Sequence, residues 1–465
     1  MLSVLLVSLV WEISARLLNQ PLVLPPLSKV VGKLMEFLSE KNFRLSAVVT
    51  FGRILSSFLV SVFLGLILGT LSGLSENFRS FIRFPLALIR STPVVAFIMI
   101  LLFWFPSEII PSVSAILMTL PVLTDGVSDA VRNTDKRLLE MARVFRLSFL
   151  TKLSGVYIPS VCPYIGGSLH TVYSLTWKVV AAGELLSLPR NALGTMIQDN
   201  RIIMNSQAVY ALILLLTGLG LISEFVLFKG FGYLGVSLAR LRQARAVPFA
   251  VPANAFKPSV AASRPAQATD AISVENLSFA YGKKQIFSDL TLKVEGGKIT
   301  ALTAPTGTGK TTLLKILSGI IPSSEYTGKV YCPETSFIFQ DQRLVPELSV
   351  LKNIALPLYT AYSKEDALRR AYSFLEKTGL EEKAFCKAGT LSGGEKQKVQ
   401  AARAFAYDAP LILMDEGTSS LDAESKAELW STIKSLLSEN PRTLLFVSHD
   451  KEEAEKYAES IIRLP

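Results

Sequence analysis

The chain has 465 residues, enough for about three domains of ordinary size. Half of its residues are hydrophobic, only 18% are charged, and its mean hydropathy is +0.39. This composition excludes an intrinsically disordered chain and argues against a wholly soluble protein. The net charge of +10 at pH 7 is typical of proteins that bind nucleic acid or a membrane surface. Three scattered cysteines (Cys162, Cys332 and Cys386) suit neither a disulfide framework nor a metal site, so we expect reduced, mostly buried thiols.

The basic excess is concentrated in the first half of the chain. Residues 1–242 hold 21 Lys and Arg against 12 Asp and Glu, whereas residues 243–465 hold 27 against 26. A nucleic-acid-binding domain would carry its excess in a soluble half, and residues 1–242 are the apolar half. The distribution therefore argues against a nucleic-acid partner and for contact with membrane lipid.

Long uncharged runs predict membrane-spanning helices. Crossing the hydrocarbon core takes about 20 helical residues, whose backbone groups must bond to one another. Five runs fit this requirement, and a sixth helix is predicted at the N-terminus despite Glu12 and Arg16. A signal peptide is the alternative there, but the segment lacks a basic start and a cleavage site. The predicted helices are residues 2–18, 54–75, 91–107, 109–124, 153–177 and 202–223.

Six crossings place both termini on the same side of the membrane. The loops on that side carry ten Lys and Arg, and the opposite loops, residues 19–46 and 185–206, carry six. Because basic residues are enriched in cytoplasmic loops, we expect the second half of the chain to lie in the cytoplasm.

The composition changes after the last predicted helix. Residues 243–270 are rich in Ala, Pro and Ser, which predicts a semi-flexible linker. Residues 271–465 alternate short β-like runs with helical stretches, which predicts an α/β domain with a largely parallel sheet. The predicted strands include residues 273–277, 299–302, 411–414 and 443–447.

A phosphate-binding loop follows one of these strands, in the stretch ITALTAPTGTGKTTLLKIL. Gly307 and Gly309 let backbone N–H groups close around phosphates, Lys310 reaches the terminal phosphates, and Thr311 offers a hydroxyl to Mg²⁺. Ala304 stands where G-x-x-x-x-G-K-[ST] begins with glycine. We expect an alanine there to cost little if its φ is negative.

A second apolar strand ends in two carboxylates, in the stretch LILMDE. An acid at the end of a buried strand is the usual Mg²⁺ partner of such a loop, which points to Asp415. Glu416 would then polarise the attacking water. A solvated acidic pair at a strand end is the alternative.

Further motifs of the second half occur in the order in which ABC-transporter ATPases carry them, and the second half resembles that family. LSGGE at residues 391–395 is similar to the LSGGQ signature of that family. Gln340 resembles the Q-loop glutamine, His449 the switch histidine, and Tyr281 the aromatic residue that stacks on adenine. Ser420, Leu421 and Asp422 match the D-loop.

The resemblance implies that the ligands are ATP and Mg²⁺. It implies the catalytic residues Glu416, His449, Lys310 and Gln340. It implies the ATP-binding residues Tyr281, Gly307, Thr308, Gly309, Lys310, Thr311, Thr312, Ser392, Gly393 and Gly394. The implied Mg²⁺ ligands are Thr311, Gln340 and Asp415. In this family ATP lies between the phosphate loop of one ATPase and the signature of another, so a homodimer is expected.

Two residues of the second half depart from the family pattern. Glu395 replaces the signature glutamine, beyond the Ser392–Gly394 backbone that contacts phosphate, and Gly417 replaces the proline that usually follows the catalytic acid.

The segment EMARVFRLSFLTKLSGVYIP resembles the E-A-A-x3-G loop of importer permeases. Glu140, Ala142 and Pro159 fit that pattern, whereas Met141 and Arg146 depart from it, the latter where glycine is expected. The resemblance implies a short cytoplasmic helix that docks on the ATPase near its Q-loop. A generic basic cytoplasmic helix is the alternative.

The rest of the first half looks like permeases of the nitrate, sulfonate and taurine group. The resemblance covers roughly residues 8–240 and rests on Trp11-Glu12, LIRSTP at 88–93 and TWKVVAAGELL at 176–186. Ionisable residues inside the membrane either mark a substrate path or snorkel and pair. The candidates are Arg90, His170, Lys178 and Glu184, of which Lys178 would suit an anionic cargo.

We therefore expect a polytopic membrane domain with the importer permease fold, joined to an α/β P-loop NTPase domain of ABC type. The expected function is ATP-driven import of a small solute across the cytoplasmic membrane, with a sulfonate, nitrate, taurine or similar anion favoured. A separate external binding protein would deliver it. Three alternatives stay open: import of a vitamin precursor such as a thiamine pyrimidine or a flavin, export, and a non-transport ATP-gated membrane module.

Overall fold

The structure is a computed structural model that describes residues 2–244, 270–305, 307–419 and 421–464. By their contacts the residues form two compact units. The first combines Met1–Asn133 with Val161–Arg245, and the second combines Thr134–Ser160 with Ala246–Pro465. The predicted linker, residues 243–270, lies outside the described residues except at its ends.

The first half of the chain is helical. Its helices are α1 (Leu2–Leu18), α2 (Leu27–Ser39), α3 (Lys41–Leu74), α4 (Glu76–Ser91), α5 (Val94–Leu101), α6 (Ile110–Arg132), α7 (Lys136–Val144), α8 (Phe149–Lys152), α9 (Ile158–Ser187), α10 (Leu193–Ile202) and α11 (Ser206–Ala244). A π-helical turn, Leu153–Tyr157, precedes α9.

Three described helices are long and apolar enough to cross a membrane, namely α3, α6 and residues 206–229 of α11. The predicted single helix over residues 91–107 is wrong, because beyond Ser91, which ends α4, only Val94–Leu101 of this run is helical, as α5, and the chain turns after Leu101. Pro93 has no backbone N–H and holds Thr92 in an extended conformation, so α4 and α5 meet at an angle of 100°. These two helices make a fourth membrane span only if they are counted together as one. The predicted spans in α1 and α9 are helical and stay predictions as membrane crossings.

Small residues allow α3 and α6 to pack closely. Gly65, Gly69 and Gly73 follow one another at four-residue spacing along α3. A Cβ atom added at Gly69 would lie 2.5 Å from the Val127 side chain of α6. Close backbone approach through small residues is a common way to join helices in a membrane.

Two sheets form the second unit. The strands are β1 (Asp270–Tyr281), β2 (Lys284–Glu295), β3 (Ile299–Thr303), β4 (Thr327–Tyr331), β5 (Thr335–Ile338), β6 (Leu411–Asp415), β7 (Thr443–Val447) and β8 (Ser460–Arg463). The parallel sheet has the order β5-β6-β7-β3-β8, and β1 pairs antiparallel with β2 and β4. The four predicted strands are confirmed, as is the largely parallel sheet.

Helices connect these strands. They are α12 (Lys310–Leu317), α13 (Val350–Ala355), α14 (Lys364–Lys377), α15 (Gly393–Ala406), α16 (Ala423–Glu439) and α17 (Lys451–Tyr457). In open parallel sheets, ligands bind at the carboxyl ends of the strands, and here the loops after β3, β5, β6 and β7 carry the predicted site residues.

Residues 134–160, called the docking segment below, pack with the second half of the chain although they lie within residues 1–242. Leu138, Met141 and Phe145 are buried in the same core cluster as Phe337 of β5 and Phe339, which follows that strand. The predicted short helix is present as α7.

The cysteines differ from the expectation in their burial. All three are free, but Cys162 and Cys386 are exposed and Cys332 is half-buried. The prediction of mostly buried thiols is therefore wrong, because two of the three lie on surfaces outside the core clusters.

Candidate functional site

The turn between β3 and α12 has the backbone that phosphate binding requires. Gly307 has φ +88° and Gly309 has φ +94°, a region that side chains other than glycine rarely adopt. A Cβ atom at Gly309 would also lie 2.5 Å from the Ile286 side chain. Ala304 keeps its φ outside the left-handed region, so the alanine is accommodated there.

Polar side chains of this turn bond to its own backbone and to β6. Lys310 Nζ donates to the carbonyls of Ala304 (2.7 Å) and Pro305 (3.1 Å). The Thr308 hydroxyl donates to the Pro305 carbonyl over 2.9 Å. Thr311 Oγ1 lies 3.2 Å from Asp415 Oδ1. Thr312 is half-buried on the first turn of α12, and Thr306 lies outside the described residues.

The two carboxylates at the end of β6 have different environments. Asp415 is buried, and burial together with the neighbouring charge of Glu416 raises the pKa of its carboxyl to about 6. Glu416 has φ +44°, a strained conformation for a residue with a Cβ. Its backbone N–H donates to the Val447 carbonyl over 3.1 Å, which holds this conformation against β7.

The Glu416 carboxylate is the meeting point of three strand ends. Gln340, which follows β5, donates from Nε2 to Glu416 Oε2 over 2.9 Å. His449, which follows β7, pairs through Nε2 with Glu416 Oε1. Nδ1 of His449 lies 3.4 Å from Lys310 Nζ. Four residues predicted from separate motifs thus form one contiguous cluster.

Gly417 has a local reason to be glycine. A Cβ atom there would lie 2.8 Å from the Met414 side chain and 3.2 Å from that of Ile338. The space that a side chain would occupy is filled by these two residues.

The signature residues begin helix α15. Ser392 is the N-cap, and Glu395 completes a capping box by accepting from the Ser392 N–H over 3.0 Å. Glu395 also pairs with Lys383, and that bond holds the pKa of its carboxyl below its usual range. Among the described residues, no hydrogen bond joins Ser392–Gly394 to residues 304–312 of the phosphate loop.

The remaining predicted residues lie at the edges of this site. Tyr281 ends β1 with half of its surface exposed, edge-on to Phe279 at 4.8 Å between ring centres. Asp422 caps α16 through the Ser425 N–H. Ser420 lies outside the described residues.

The oxygen donors suit Mg²⁺. Thr311 and Asp415 present a hydroxyl and a carboxylate side by side, and the Gln340 carboxamide keeps its oxygen available, since its nitrogen makes the bond to Glu416. Mg²⁺ typically takes one or two protein oxygens and completes its shell with water and phosphate. No cluster of three His, Cys, Asp or Glu suited to a metal occurs in the part of the chain that the structure describes.

Comparison with known proteins agrees with this geometry. Residues 287–419 match the family model described as ABC transporter. Residues 61–228 match the model described as a binding-protein-dependent transport system inner membrane component. An aliphatic sulfonates import ATP-binding protein of Paracoccus denitrificans is 36% identical over 195 residues, which are 42% of this chain and 79% of that protein. The chain belongs to the ABC transporter family.

Other relatives of the ATPase half carry the names of different cargoes. A phosphonates import ATP-binding protein of Fusobacterium nucleatum is 30% identical and aligns with 42% of this chain and 88% of its own. A sulfate/thiosulfate import ATP-binding protein of Nephroselmis olivacea is 34% identical, over 41% of this chain and 59% of its own.

This ABC transporter is an ATP-hydrolysing importer of the inner membrane whose ATPase domain is cytoplasmic.

The docking segment of the transporter contacts the turn that carries Gln340. Arg343 Nη1 bonds to Glu140 Oε2 over 2.6 Å, and Arg137 Nε lies 3.1 Å from Asp341 Oδ2. Glu140 was predicted from its motif, whereas Asp341 and Arg343 were not predicted. Their position directly after Gln340 was the available signal.

Arg146 shows why glycine is expected at its position in the docking segment. It follows the end of α7 with φ +48°, the left-handed conformation in which helices commonly end at glycine. Its guanidinium lies 3.9 Å from Glu334.

The ionisable residues of the helical unit are mostly paired. The Glu184 carboxylate is fully buried, accepts from the Thr50 hydroxyl and the Gly194 N–H, and pairs with Arg53 over 3.0 Å. Arg90 pairs with Asp125. His170 pairs with Glu224 over 2.7 Å. Lys178 is exposed on α9.

Proposed function

We propose that this chain imports a small anionic solute as a homodimer, with a separate external binding protein that delivers the cargo. The ATPase part of this proposal rests on one observation, that Gln340 and His449 both bond to the Glu416 carboxylate. The cargo part rests on Lys178, which is exposed on α9 while the neighbouring acid Glu184 is neutralised by Arg53. Relatives named for sulfonate, phosphonate and sulfate import support an anion.

In the proposed mechanism Glu416 accepts a proton from the water that attacks the terminal phosphate of ATP. Its strained backbone and its bonds to Gln340 and His449 hold the carboxylate at one position. Lys310 and the N–H groups of the loop at Gly307 and Gly309 stabilise the phosphate oxygens.

Mg²⁺ would be held by Thr311, Asp415 and Gln340, and would neutralise charge on the phosphates. Tyr281 provides an exposed ring at the edge of β1 for stacking with the adenine base.

Replacing Glu416 by Gln tests the assignment of the base. The amide keeps the volume and cannot accept the proton, so ATP turnover should fall by about 10²- to 10⁴-fold while ATP still binds. Glu424→Gln, which alters an exposed acid on the first turn of α16, is the matched control and should hydrolyse ATP normally. Turnover within a few-fold of the parent chain in Glu416→Gln would reject Glu416 as the base.

Complementation tests the homodimer. A chain with Lys310→Met lacks a working phosphate loop, and one with Ser392→Arg lacks a working signature. If each ATP site takes its loop from one chain and its signature from the other, the mixed dimer retains one intact site. Purified mixed particles should therefore hydrolyse ATP, whereas each variant alone should not. Inactive mixed particles would contradict the shared site.

Ligand-binding and uptake measurements test whether the cargo is an anion. Candidate binding proteins are first selected by their ability to stimulate ATP turnover of the reconstituted chain. The ligands that raise the melting temperature of the selected protein are then compared among taurine, sulfate, a phosphonate and spermidine. Spermidine is included because a relative at 32% identity is named for spermidine/putrescine import. Stabilisation by spermidine alone, or unchanged uptake by Lys178→Met, would contradict an anionic cargo.

A further inference from the structure

Helix α15 carries a row of buried polar side chains beyond the signature. Gln397, Gln400 and Arg403 recur every three residues, which places them along one side of the helix, and all three are fully buried. Long polar side chains are rarely buried completely, because each polar atom must find a partner.

These side chains bond to the backbone of residues 339–343, the turn that follows β5 and makes the contacts to the docking segment. Gln397 Nε2 donates to the carbonyls of Phe339 (3.4 Å) and Gln340 (3.3 Å). Gln400 Nε2 donates to those of Phe339 and Asp341, each over 3.4 Å.

Arg403 completes the row. Its Nη1 donates to the Arg343 carbonyl over 2.7 Å.

The other side of the same turn faces the ATP site and the docking segment. The side chain of Gln340 bonds to Glu416, whereas those of Asp341 and Arg343 bond to Arg137 and Glu140 of α7. Five residues of backbone therefore connect the proposed base with the docking helix, and α15 holds these five residues in place.

Arg403 also contacts the docking segment directly. Its guanidinium lies over the Phe145 ring, 5.2 Å from the ring centre. Among the described residues no carboxylate pairs with it, and its Nε has no hydrogen-bond partner. Complete burial lowers its pKa to about 9. A buried cation that is only partly compensated is costly for stability, so packing alone does not account for it.

We propose that Gln400 and Arg403 are positioning residues that fix the 339–343 turn between the signature helix and the docking segment, so that the nucleotide state at the signature is passed to α7. This inference rests on the proposed ATP site. Both residues act through the backbone of the turn, and neither touches ATP.

The full chain offers its own reporter for a test. Cys162 is exposed four residues into α9, directly after the docking segment. With Cys332 and Cys386 replaced by Ser, the rate of Cys162 labelling by N-ethylmaleimide is measured in nanodiscs with and without ATP and vanadate. ATP turnover and the melting temperature are measured on the same samples.

We expect the parent chain to change its labelling rate with nucleotide. Gln400→Leu removes the bonds to the turn at similar volume, and Phe145→Leu removes the ring beside Arg403 but leaves α15 intact. Each should reduce the nucleotide effect by about 2- to 30-fold, as substitutions along coupling networks do, with much smaller losses of ATP turnover. Phe145→Leu keeps the test valid if Gln400→Leu does not fold.

Asn353→Leu is the matched control. Asn353 is a fully buried amide that donates to the carbonyls of Val345, Leu348 and Ser349 and makes no hydrogen bond to residues 339–343, all of which the structure describes. It should lower the melting temperature and leave the nucleotide effect unchanged. The inference is wrong if Gln400→Leu and Phe145→Leu keep the effect, if Asn353→Leu loses as much of it as they do, or if a hydrolysing parent shows no effect. A parent that does not hydrolyse ATP would instead contradict the proposed function.

Discussion

Arg343 and Glu140 form a 2.6 Å ion pair between residues that are 203 positions apart in the chain. The Arg343 guanidinium is mostly buried, stacks on the Phe339 ring at 4.1 Å, and also bonds to Asp341. The pair joins helix α7 to the turn that carries Gln340. This contact, together with that of Arg137 with Asp341, thus connects the segment inserted in the permease with the loop at the ATP site.

Removal of this pair should be measurable as a loss of stability. Glu140→Gln removes one of the two carboxylates that Arg343 contacts and should cost about 1–3 kcal/mol, visible as a lower melting temperature. The double variant with Arg343→Gln should lose less stability than the sum of the two single variants, because both remove the same ion pair. Glu347→Gln breaks an exposed pair with Lys387 and is the control, with an expected cost below about 1 kcal/mol. Additive losses from Glu140→Gln and Arg343→Gln would show that the two side chains act separately.

Arg146→Gly should stabilise the chain. At φ +48° a residue with a Cβ costs about 1–2 kcal/mol relative to glycine. The ion pair that Arg146 forms with Glu334, at 3.9 Å between exposed side chains, contributes little to stability. The melting temperature should rise for Arg146→Gly and stay constant or fall for Arg146→Ala, which keeps the strain. Equal shifts for the two variants would mean that the backbone conformation is not the cause.

Gly307→Ala and Gly309→Ala should differ in severity. Both positions have positive φ, but a Cβ atom at Gly307 meets no atom within 4 Å, whereas one at Gly309 meets Ile286 at 2.5 Å and Phe287 at 2.8 Å. Gly307→Ala should weaken binding of a fluorescent ATP analogue and cost about 1–2 kcal/mol of strain. Gly309→Ala should lower the melting temperature further, because β2 must move. Identical effects would contradict the close contact at Gly309.

Asp415→Asn should stabilise the nucleotide-free chain at neutral pH. The folded state raises the pKa of Asp415 from 3.8 to about 6, so the unfolded chain loses this proton first as the pH rises. The free energy of unfolding therefore falls between pH 4 and pH 6. The fall is at most about 3 kcal/mol, since each pKa unit corresponds to about 1.4 kcal/mol. Without nucleotide, Asp415→Asn should raise the melting temperature at pH 7.5 and not at pH 4. The same shift at both pH values would contradict the raised pKa. ATP turnover should be lost at either pH.

The exposed thiol of Cys386 should react with iodoacetamide at pH 8, and Cys332 should not. Burial raises the pKa of the Cys332 thiol to about 12, so the reactive thiolate is scarce at any pH below that value. Mass spectrometry of the labelled chain measures both sites at once, and Cys386→Ser leaves Cys332 as the only cysteine of the ATPase half. Comparable labelling of the two residues would show that Cys332 is accessible.

Much of the ATPase fold could be predicted because its strands are short apolar runs that end in motif residues. Asp415 ends β6, Glu416 follows it directly and His449 follows β7 closely, so that a parallel sheet had to bring them to one edge. The α7 helix and its docking near Gln340 were expected from the family pattern.

Other features could not be predicted from runs and motifs. The uncharged run at 91–107 looks like a single span, and the effect of Pro93 on the helix direction depends on the backbone of Thr92. The partner of Glu140 lies 203 residues away, and the family pattern places the docking helix near Gln340 without singling out Arg343. Arg53, which neutralises Glu184, lies 131 residues before it in the chain, and no local pattern links the two.

The separation between the docking segment and its binding surface has a consequence for biosynthesis. A ribosome that adds about 5–20 residues per second takes on the order of 10–40 s to translate from Glu140 to Arg343. During that interval Met141 and Phe145, both fully buried in the finished chain, have no core to enter. Exposed apolar side chains of this kind are what chaperones bind. Truncated chains that end before β5 should therefore be degraded faster than those that include the complete ATPase half.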